Sequence, residues 1–423
     1  MKIAIMVRGY LPAPRPKDLI YAPIDLAIAI SEGLVKRGHS VDFYGPLGTK
    51  IGHGVRVITN NLRPLAHDQK ETGELFHDIG RLTHYIPALW DEYLAVEMFK
   101  RAHKGEYDIL CFEHPEVGLS LGRMHPNVPV VHVLNDPIFA WYREIFELFE
   151  SPNQHYVSIS KNQRRDAPDL PYLDNIYNGV PIEQFPFCDN PEDYLLIAGR
   201  IVPEKGFKEA IQIAKQTGDR LLIIGPVYPE SQDYFDQYIK PHLSDQILYL
   251  GYVEYTQMWR YFQKAKAFLT PVQWEEPFGL TTIEAMACGT PTISLRRGAA
   301  PEIIVDGKTG FVCDSIAEMA AAVGKIDQIK RVDCREHVKQ NFSLDKMVDD
   351  YERAFKSLLK KHTKTATQRG RDLVKQIKKA TVAKLPPLPH KPHKSAVGRK
   401  IDQKFEQIVQ QITEEAQDDA KAA

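Results

Sequence analysis

Two glutamates, Glu276 and Glu284, are separated by seven residues in the segment EEPFGLTTIEAMACGTPTISL, residues 275–295. Glu276 stands before a Pro-Phe-Gly turn, and Glu284 falls one turn inside a predicted helix. The local order is an apolar strand (AFLTPV), a loop, an acid, glycine, helix, Gly-Thr-Pro and a second strand. In α/β proteins this order sets a ligand at the carboxyl end of the strand, facing a helix N-terminus. Unpaired N–H groups and partial positive charge at that terminus attract phosphate. Gly279, Leu280 and Thr281 are therefore candidates to cradle a phosphate, with Glu284 reaching a hydroxyl-rich group beside it. A carboxylate next to a phosphate is electrostatically unfavourable unless it accepts hydrogen bonds from hydroxyls, as a sugar would supply.

A second set lies upstream. The strand LLIAG ends in Gly199-Arg200, and Lys205-Gly206 follows a Pro203-Glu204 turn. Arg200 at a strand's carboxyl end and Lys205 before the next helix can face the same crevice. An arginine fork with a lysine point charge suits a diphosphate. Alone, such cations are more often a solvated pair beside a turn; the glutamate motif downstream favours the site reading. No D-x-D motif occurs, so no metal-bridged diphosphate, metal or cofactor is expected. Charge on a leaving group would fall on Arg200, Lys205 and the helix end.

The elements that must position these groups alternate. Residues 2–7 form a short apolar run, and Pro23 opens a segment of helical spacing that stops at Gly38. A strand over 40–44, a mostly helical region over 76–103, the strand YDILCFEH, a small-residue helix over 116–124 and the strand PVVHVLND follow. After the polar stretch 185–193 a second series begins: LLIAGR, a helix over 208–217, LLIIG, a helix over 233–243, ILYLG, a helix over 255–264, AFLTPV, TISL and FVC. Alternating apolar strands and helices predict parallel sheets covered on both faces. The expected architecture is α/β, with two Rossmann-like domains, 1–187 and 188–342, facing each other across a cleft. An amphipathic helix over 343–361 packs back, with Met347, Tyr351, Phe355 and Leu358 on one face. Residues 362–423 form a basic then acidic flexible tail.

A length of 423 residues calls for more than one core, and 43% hydrophobic with 26% charged residues is an ordinary globular balance. The formal net charge of −1 gives no reason to expect nucleic-acid binding. Five cysteines, odd in number and without C-x-x-C spacing, point to a reducing, cytoplasmic setting and no metal site. No run approaches the roughly 18 apolar residues of a membrane span. The start MKIAIMVRGY reads as a buried strand, not a signal segment, because its apolar stretch ends at Arg8.

The segments AGRIVPEKG, WEEPFGLTTIEAMACGTPTIS with its E-x7-E spacing, and RRGAAPEIIVDGKTGF resemble the family 4 retaining glycosyltransferases of the GT-B fold, the glycosyl transferases group 1. SISKNQRRDAPDLPYLDNIYNGV and KRGHSVDFYG fit the same family, so the resemblance covers about residues 1–360. It implies a nucleotide-sugar donor and a saccharide or lipid-linked acceptor as partners. Arg200 and Lys205 would bind the donor diphosphate, Glu284 the ribose diol, and Glu276 the hydroxyls of the transferred sugar. The Phe278–Thr281 backbone would hold the distal phosphate and sugar. His114, at the end of CFEH, matches the family's histidine that meets the donor sugar; taken alone, such a histidine is more often structural. Asn135, where the family often has histidine, would line the acceptor side. Ala22-Pro23 departs from the small flexible residues the family carries before its first helix. That departure bears on the phosphate contact and the acceptor class.

Transfer with retention would proceed by attack from the face of the leaving phosphate, which takes the acceptor's proton. Two rivals stand beside this expectation: a nucleotide-sugar epimerase or hydrolase on the same fold, and a non-catalytic nucleotide-sugar-binding scaffold. The basic stretch 363–400 is read either as a solvated appendage or as a peripheral contact with an anionic inner membrane face.

Overall fold

The computed structural model describes residues 1–16, 19–68, 71 and 85–362. Residues 363–423 of the expected tail over 362–423, and residues 76–84 of the expected helical region, lie outside the described residues. The chain divides into a unit Met1–Ala354, which holds both sheets, and a unit Phe355–Ala423. In the latter the described residues 355–362 are helical.

The first sheet has seven strands in the order β3-β2-β1-β4-β5-β6-β7. They are β1 Lys2–Met6, β2 Ser40–Tyr44, β3 Arg56–Ile58, β4 Ile109–Phe112, β5 Val130–Leu134, β6 Gln154–Ser158 and β7 Tyr172–Asn175. The second has six in the order β10-β9-β8-β11-β12-β13. These are β8 Tyr194–Ala198, β9 Arg220–Ile224, β10 Ile247–Tyr249, β11 Ala267–Thr270, β12 Thr292–Leu295 and β13 Gly310–Cys313. Every pairing is parallel. The central strands β4, β5 and β8 are buried along their whole length. That burial is why they read as unbroken apolar runs. Each buried Leu, Ile or Val there stabilises by roughly 1.5–3 kcal/mol relative to exposure.

Strand order reverses between β1 and β4 in one sheet and between β8 and β11 in the other. A crevice opens at the carboxyl ends of strands at such a reversal. The residues that follow these strands are Arg8, Glu113-His114, Arg200 and the 271–276 loop, so topology delivers the candidate chemistry to two facing rims.

The helix Ala22–Lys36 starts with Pro23 in its first turn, where a missing N–H leaves no bond unmade. The expected helix over 233–243 is shorter, Gln232–Tyr238, followed by a single 3₁₀ turn Lys240–His242. Pro241 supplies no N–H to continue it. Elements without a sequence signal also occur. The edge strands β3 and β7 are only half buried. The helix Ala140–Leu148 buries Phe146 alone, and Arg331–Asn341 buries only Arg331, Cys334 and Val338. A single buried position, or three in a polar helix, leaves no apolar stripe to read.

Within the first unit, helical residues 344–354 are fastened to the β1–β2 connection and to the segment after β7. Val348 lies so close to Gly33 that a Cβ there would meet its methyl at 2.6 Å. Arg37 pairs with Asp349 at 2.6 Å, and the amide of Gly179 reaches Met347 Sδ at 3.3 Å. Among the described residues no helix is long and apolar enough to cross a membrane.

Candidate active site

On the rim of the second sheet, Lys205 closes the 3₁₀ turn Pro203–Lys205 and Gly206 begins the helix Phe207–Thr217. The Lys205 ammonium lies 2.5 Å from Glu276 Oε2. The same oxygen accepts a 2.7 Å hydrogen bond from the Trp274 indole, and Lys205 sits 5.4 Å from that ring's centroid. The pair is about one-fifth exposed, 23% for Lys205 and 18% for Glu276. The loop bearing Glu276 is held from behind. Gly298 N donates to Glu275 Oε2 at 2.8 Å, and Ala299 N donates to the Glu276 carbonyl at 3.0 Å.

Gly279 is the N-cap of the helix Leu280–Ala287, with φ 116°, a conformation open to glycine. The first N–H groups of a helix have no partner inside it, so Leu280 and Thr281 offer theirs to the crevice. Phe278 is buried against Tyr177 and Phe342, at ring distances of 6.1 and 6.0 Å. Its side chain is core, and only its backbone is available to a ligand. Arg200 is exposed on the same rim, and no hydrogen bond or ion pair engages it among the described residues.

Glu284, one turn into the helix, is buried. Burial pushes its carboxyl up to about 7, opposed by a hydrogen bond from the Tyr255 hydroxyl and by the Arg15 cation. Arg15 comes from the loop after β1, pairs with Asp25 at 2.6 Å and lies 5.8 Å from the Tyr255 ring. The first-sheet half of the unit thus reaches the residue expected to read a ribose.

On the opposite rim His114 caps the helix Pro115–Met124 and is buried. Arg8 Nη2 lies 2.9 Å from its Nδ1, and the Tyr21 hydroxyl meets its Nε2. Arg8 can only donate, so Nδ1 accepts and the ring proton sits on Nε2. Burial, then the Arg8 cation, push the imidazole well below its ordinary value, so it is neutral at pH 7. Tyr21 stacks on the ring at 5.7 Å and precedes Ala22-Pro23, so this departure from the family's flexible loop places an aromatic on His114. Arg8 is itself anchored by Asp91 at 2.9 Å.

Asn135 donates to the Glu113 carbonyl at 2.9 Å and to its Oε2 at 3.0 Å. Burial lifts the Glu113 carboxyl from 4.5 to about 7. A raised carboxyl pKa contributes stability that is complete below the unfolded value and lost as pH rises through the folded one. Glu113 therefore makes the fold less stable by on the order of 3 kcal/mol as pH climbs from about 4.5 to about 7. Glu113→Gln is expected to remove that share of the slope, read by urea unfolding at pH 5 and pH 8; an unchanged slope would discount the buried carboxyl.

Asp136 follows. Burial and then Glu116 raise it, while Arg8 and Arg200 oppose them. Arg200 is therefore close enough to act on Asp136 across the crevice.

The structure brings Lys205, Glu276 and the Gly279–Thr281 helix end to one rim, with Arg200 beside them. It gathers His114 and Asn135 on the other. Sequence reading passed over Trp274, Arg8, Tyr21, Arg15, Tyr255 and Glu113. Only Glu113, an acid beside His114 at a strand end, carried a usable signal. Contacts between the halves were equally silent: Glu302 accepts from the amides of Lys161 at 2.8 Å and Asn162 at 2.7 Å, and Glu275 pairs with Arg165 at 3.2 Å. Among the described residues no cluster of three or more His, Cys, Asp or Glu can hold a metal ion.

Residues 183–344 match the family model described as glycosyl transferases group 1. Glycogen synthase of Mycobacterium tuberculosis is 31% identical over 173 residues, 38% of this chain and 41% of the relative. N-acetyl-alpha-D-glucosaminyl L-malate synthase of Bacillus anthracis is 29% identical over 157 residues, 35% of this chain and 40% of the relative. The chain thus spans about two-fifths of the length of these curated relatives. Sucrose-phosphate synthase from Thermosynechococcus elongatus superposes with a TM-score of 0.66 at 16% identity, covering 85% of this chain and 99% of that one. HepE of Anabaena in complex with UDP and glucose gives 0.61 at 18% identity, covering 84% and 100%. At such identity these two show the fold alone. The two facing parallel sheets are the GT-B fold, and residues 183–344 are similar to the glycosyl transferases group 1.

Proposed function

We propose that this chain is a retaining, family 4-like glycosyltransferase that moves a sugar from a nucleotide-diphosphate sugar to an acceptor hydroxyl. The observation that carries it is the Lys205–Glu276 pair at 2.5 Å, set beside the Gly279 helix end with Arg200 uncommitted nearby. A lone surface pair needs no such surroundings. In this reading the diphosphate takes Lys205, Arg200 and the helix N–H groups, and Glu276 turns to the sugar's hydroxyls. Glu284 receives the ribose diol. The neutral His114 offers its Nε2 proton towards the sugar once Tyr21 yields it. Positive charge for the leaving diphosphate then comes from the protein, and no metal is assigned a role. The leaving phosphate takes the acceptor's proton from the same face. UDP-glucose bound to the Anabaena HepE structure supports a nucleotide-sugar donor. Five free cysteines, four of them buried, suit a reducing cytoplasmic compartment.

The test is Arg200→Ala. One charge-assisted contact is worth about 1.5–3 kcal/mol, so nucleoside diphosphate affinity should weaken roughly 10- to 100-fold. Calorimetry with UDP, GDP and ADP against the wild type reads this directly. Equal affinity in both proteins would remove Arg200 from the site. Free sugar or an epimerised donor without acceptor would favour an epimerase or hydrolase. Binding without turnover would favour a scaffold.

A further inference from the structure

A cavity of about 490 Å³ lies away from the crevice. Gln154, which opens β6, and Pro171, just before β7, line it. It therefore sits at the amino ends of these parallel strands, while the candidate chemistry collects at carboxyl ends. Small-molecule sites run from about 300 to about 1,000 Å³. The floor is made by Phe146, Tyr156 and Ala167, all buried, with Leu170 beside them.

One polar atom of this floor is unmatched. Tyr156 is 1% exposed, and its hydroxyl is buried without a hydrogen-bond partner. Burial, then Glu150, raise that hydroxyl, so it stays protonated at pH 7 and Glu150 is within its electrostatic reach. Glu150 is itself a wall of the cavity, so the hydroxyl end of the ring is turned towards that wall. A buried hydroxyl without a partner is unfavourable, and a ligand can supply the partner.

The rim is acidic. Glu147, Glu150 and Asp169 stand against Arg143 alone. Arg143 is engaged by Glu147 at 2.9 Å and reaches Asp169 at 4.0 Å. Among the described residues no hydrogen bond or ion pair engages the Glu150 carboxylate. The helix Ala140–Leu148 also ends here, with Glu147 and no basic residue in its last turn. A helix C-terminus carries partial negative charge and favours a cation, so acids at that end add to the deficit. An anion would be repelled, and a neutral ligand would leave the carboxylates uncompensated. An ammonium brings positive charge and three donors, enough for both Glu150 and the Tyr156 oxygen.

We propose that this cavity binds an organic amine, with its ammonium between Glu150 and the Tyr156 hydroxyl and its apolar body over Phe146, Ala167 and Leu170. The site is separate from the crevice and does not rest on the glycosyl-transfer reading.

The experiment titrates the full chain and its Glu150→Gln and Tyr156→Phe variants at pH 7 with tryptamine, tryptophol and indole-3-acetate. These three indoles share one ring, and their side chains end in an ammonium, a hydroxyl and a carboxylate. Ligand-observed NMR reads each affinity, and UDP is added as competitor. Tryptamine should bind the wild type about fivefold or more tighter than tryptophol, with indole-3-acetate weakest. Glu150→Gln should weaken tryptamine about threefold or more, as loss of a partly exposed ion pair does, and leave tryptophol within about twofold. Tyr156→Phe should weaken tryptamine, while its urea midpoint stays at or above the wild type's because the lost hydroxyl had no partner. UDP should not displace the amine. Tryptamine binding no tighter than tryptophol's, unchanged in either variant, or lost to UDP overturns the proposal. So does failure of all three indoles to bind, or a lowered midpoint in Tyr156→Phe, which would make that hydroxyl structural.

Discussion

Glu276→Gln is expected to lower kcat/KM for sugar transfer about a hundredfold or more while nucleoside diphosphate affinity holds or rises. Glutamine keeps the volume and one acceptor oxygen but removes the charge that Lys205 and Trp274 share at 2.5 and 2.7 Å. With substrate bound the charged carboxylate accepts from the sugar's hydroxyls instead, and two charge-assisted hydrogen bonds of about 1.5–3 kcal/mol each span two decades or more of rate at about 1.4 kcal/mol per decade. The rise in diphosphate affinity follows from the other partner. Lys205 is neutralised by Glu276 in the unliganded protein, and without that carboxylate its full charge is available to phosphate. The rate and affinity changes therefore run in opposite directions, which general damage to the fold would not produce. Initial-rate kinetics with the cognate donor, together with UDP calorimetry, check both. Turnover near the wild-type value would remove Glu276 from the sugar site.

Gly206→Ala is expected to destabilise the fold by at least about 3 kcal/mol and to dislodge Lys205. Gly206 has φ 76°, and a Cβ built there would lie 1.9 Å from the Pro271 carbonyl oxygen and 2.7 Å from its carbon. The left-handed conformation alone costs a non-glycine residue about 1–2 kcal/mol. The collision adds more, because both atoms struck are backbone of the loop after β11 that leads to Glu276. Gly38→Ala is the matched control. Its φ is 83°, but nothing lies within 4 Å of the added Cβ, so only the conformational cost remains. Urea unfolding of the two variants should separate them by about 1–2 kcal/mol or more, the excess over strain alone. UDP affinity should fall only in Gly206→Ala. Equal losses would show that the approach of the 203–206 turn to Pro271 is not tight.

Much of this arrangement was legible along the chain. The strands β1, β2, β4, β5, β8, β9, β11, β12 and β13 announce themselves because parallel strands covered on both faces must be apolar throughout. The edge strands β3 and β7 carry no such demand and stayed hidden. The helix Ala140–Leu148 was equally hidden, for it leaves Trp141 exposed and buries Phe146 alone. Within the site, Arg200, Lys205, Glu276, Gly279 and Glu284 could be read from order and spacing. Each follows its own strand or opens its own helix.

What spacing could not supply was the partner of each group. Lys205 and Glu276 were expected to serve different parts of one ligand, and the fold sets them against each other 71 positions apart in sequence. His114 was expected at the cleft; its two nitrogens meet Arg8 and Tyr21, one 106 and the other 93 positions away. Arg15 reaches Glu284 and Tyr255 from the far half of the unit.

The sequence by itself determined which residue types stand at the ends of which strands, and so the two rims, their charges and the phosphate-seeking helix end. Those follow from apolar period, turn residues and chain order, all of which are local. Only the tertiary structure decided which charge neutralises which, that His114 is a neutral donor at Nε2, and that Glu113 keeps a buried oxygen without a hydrogen-bond partner. These depend on distance and burial between segments far apart in the chain, where a few ångströms separate an ion pair from a free cation.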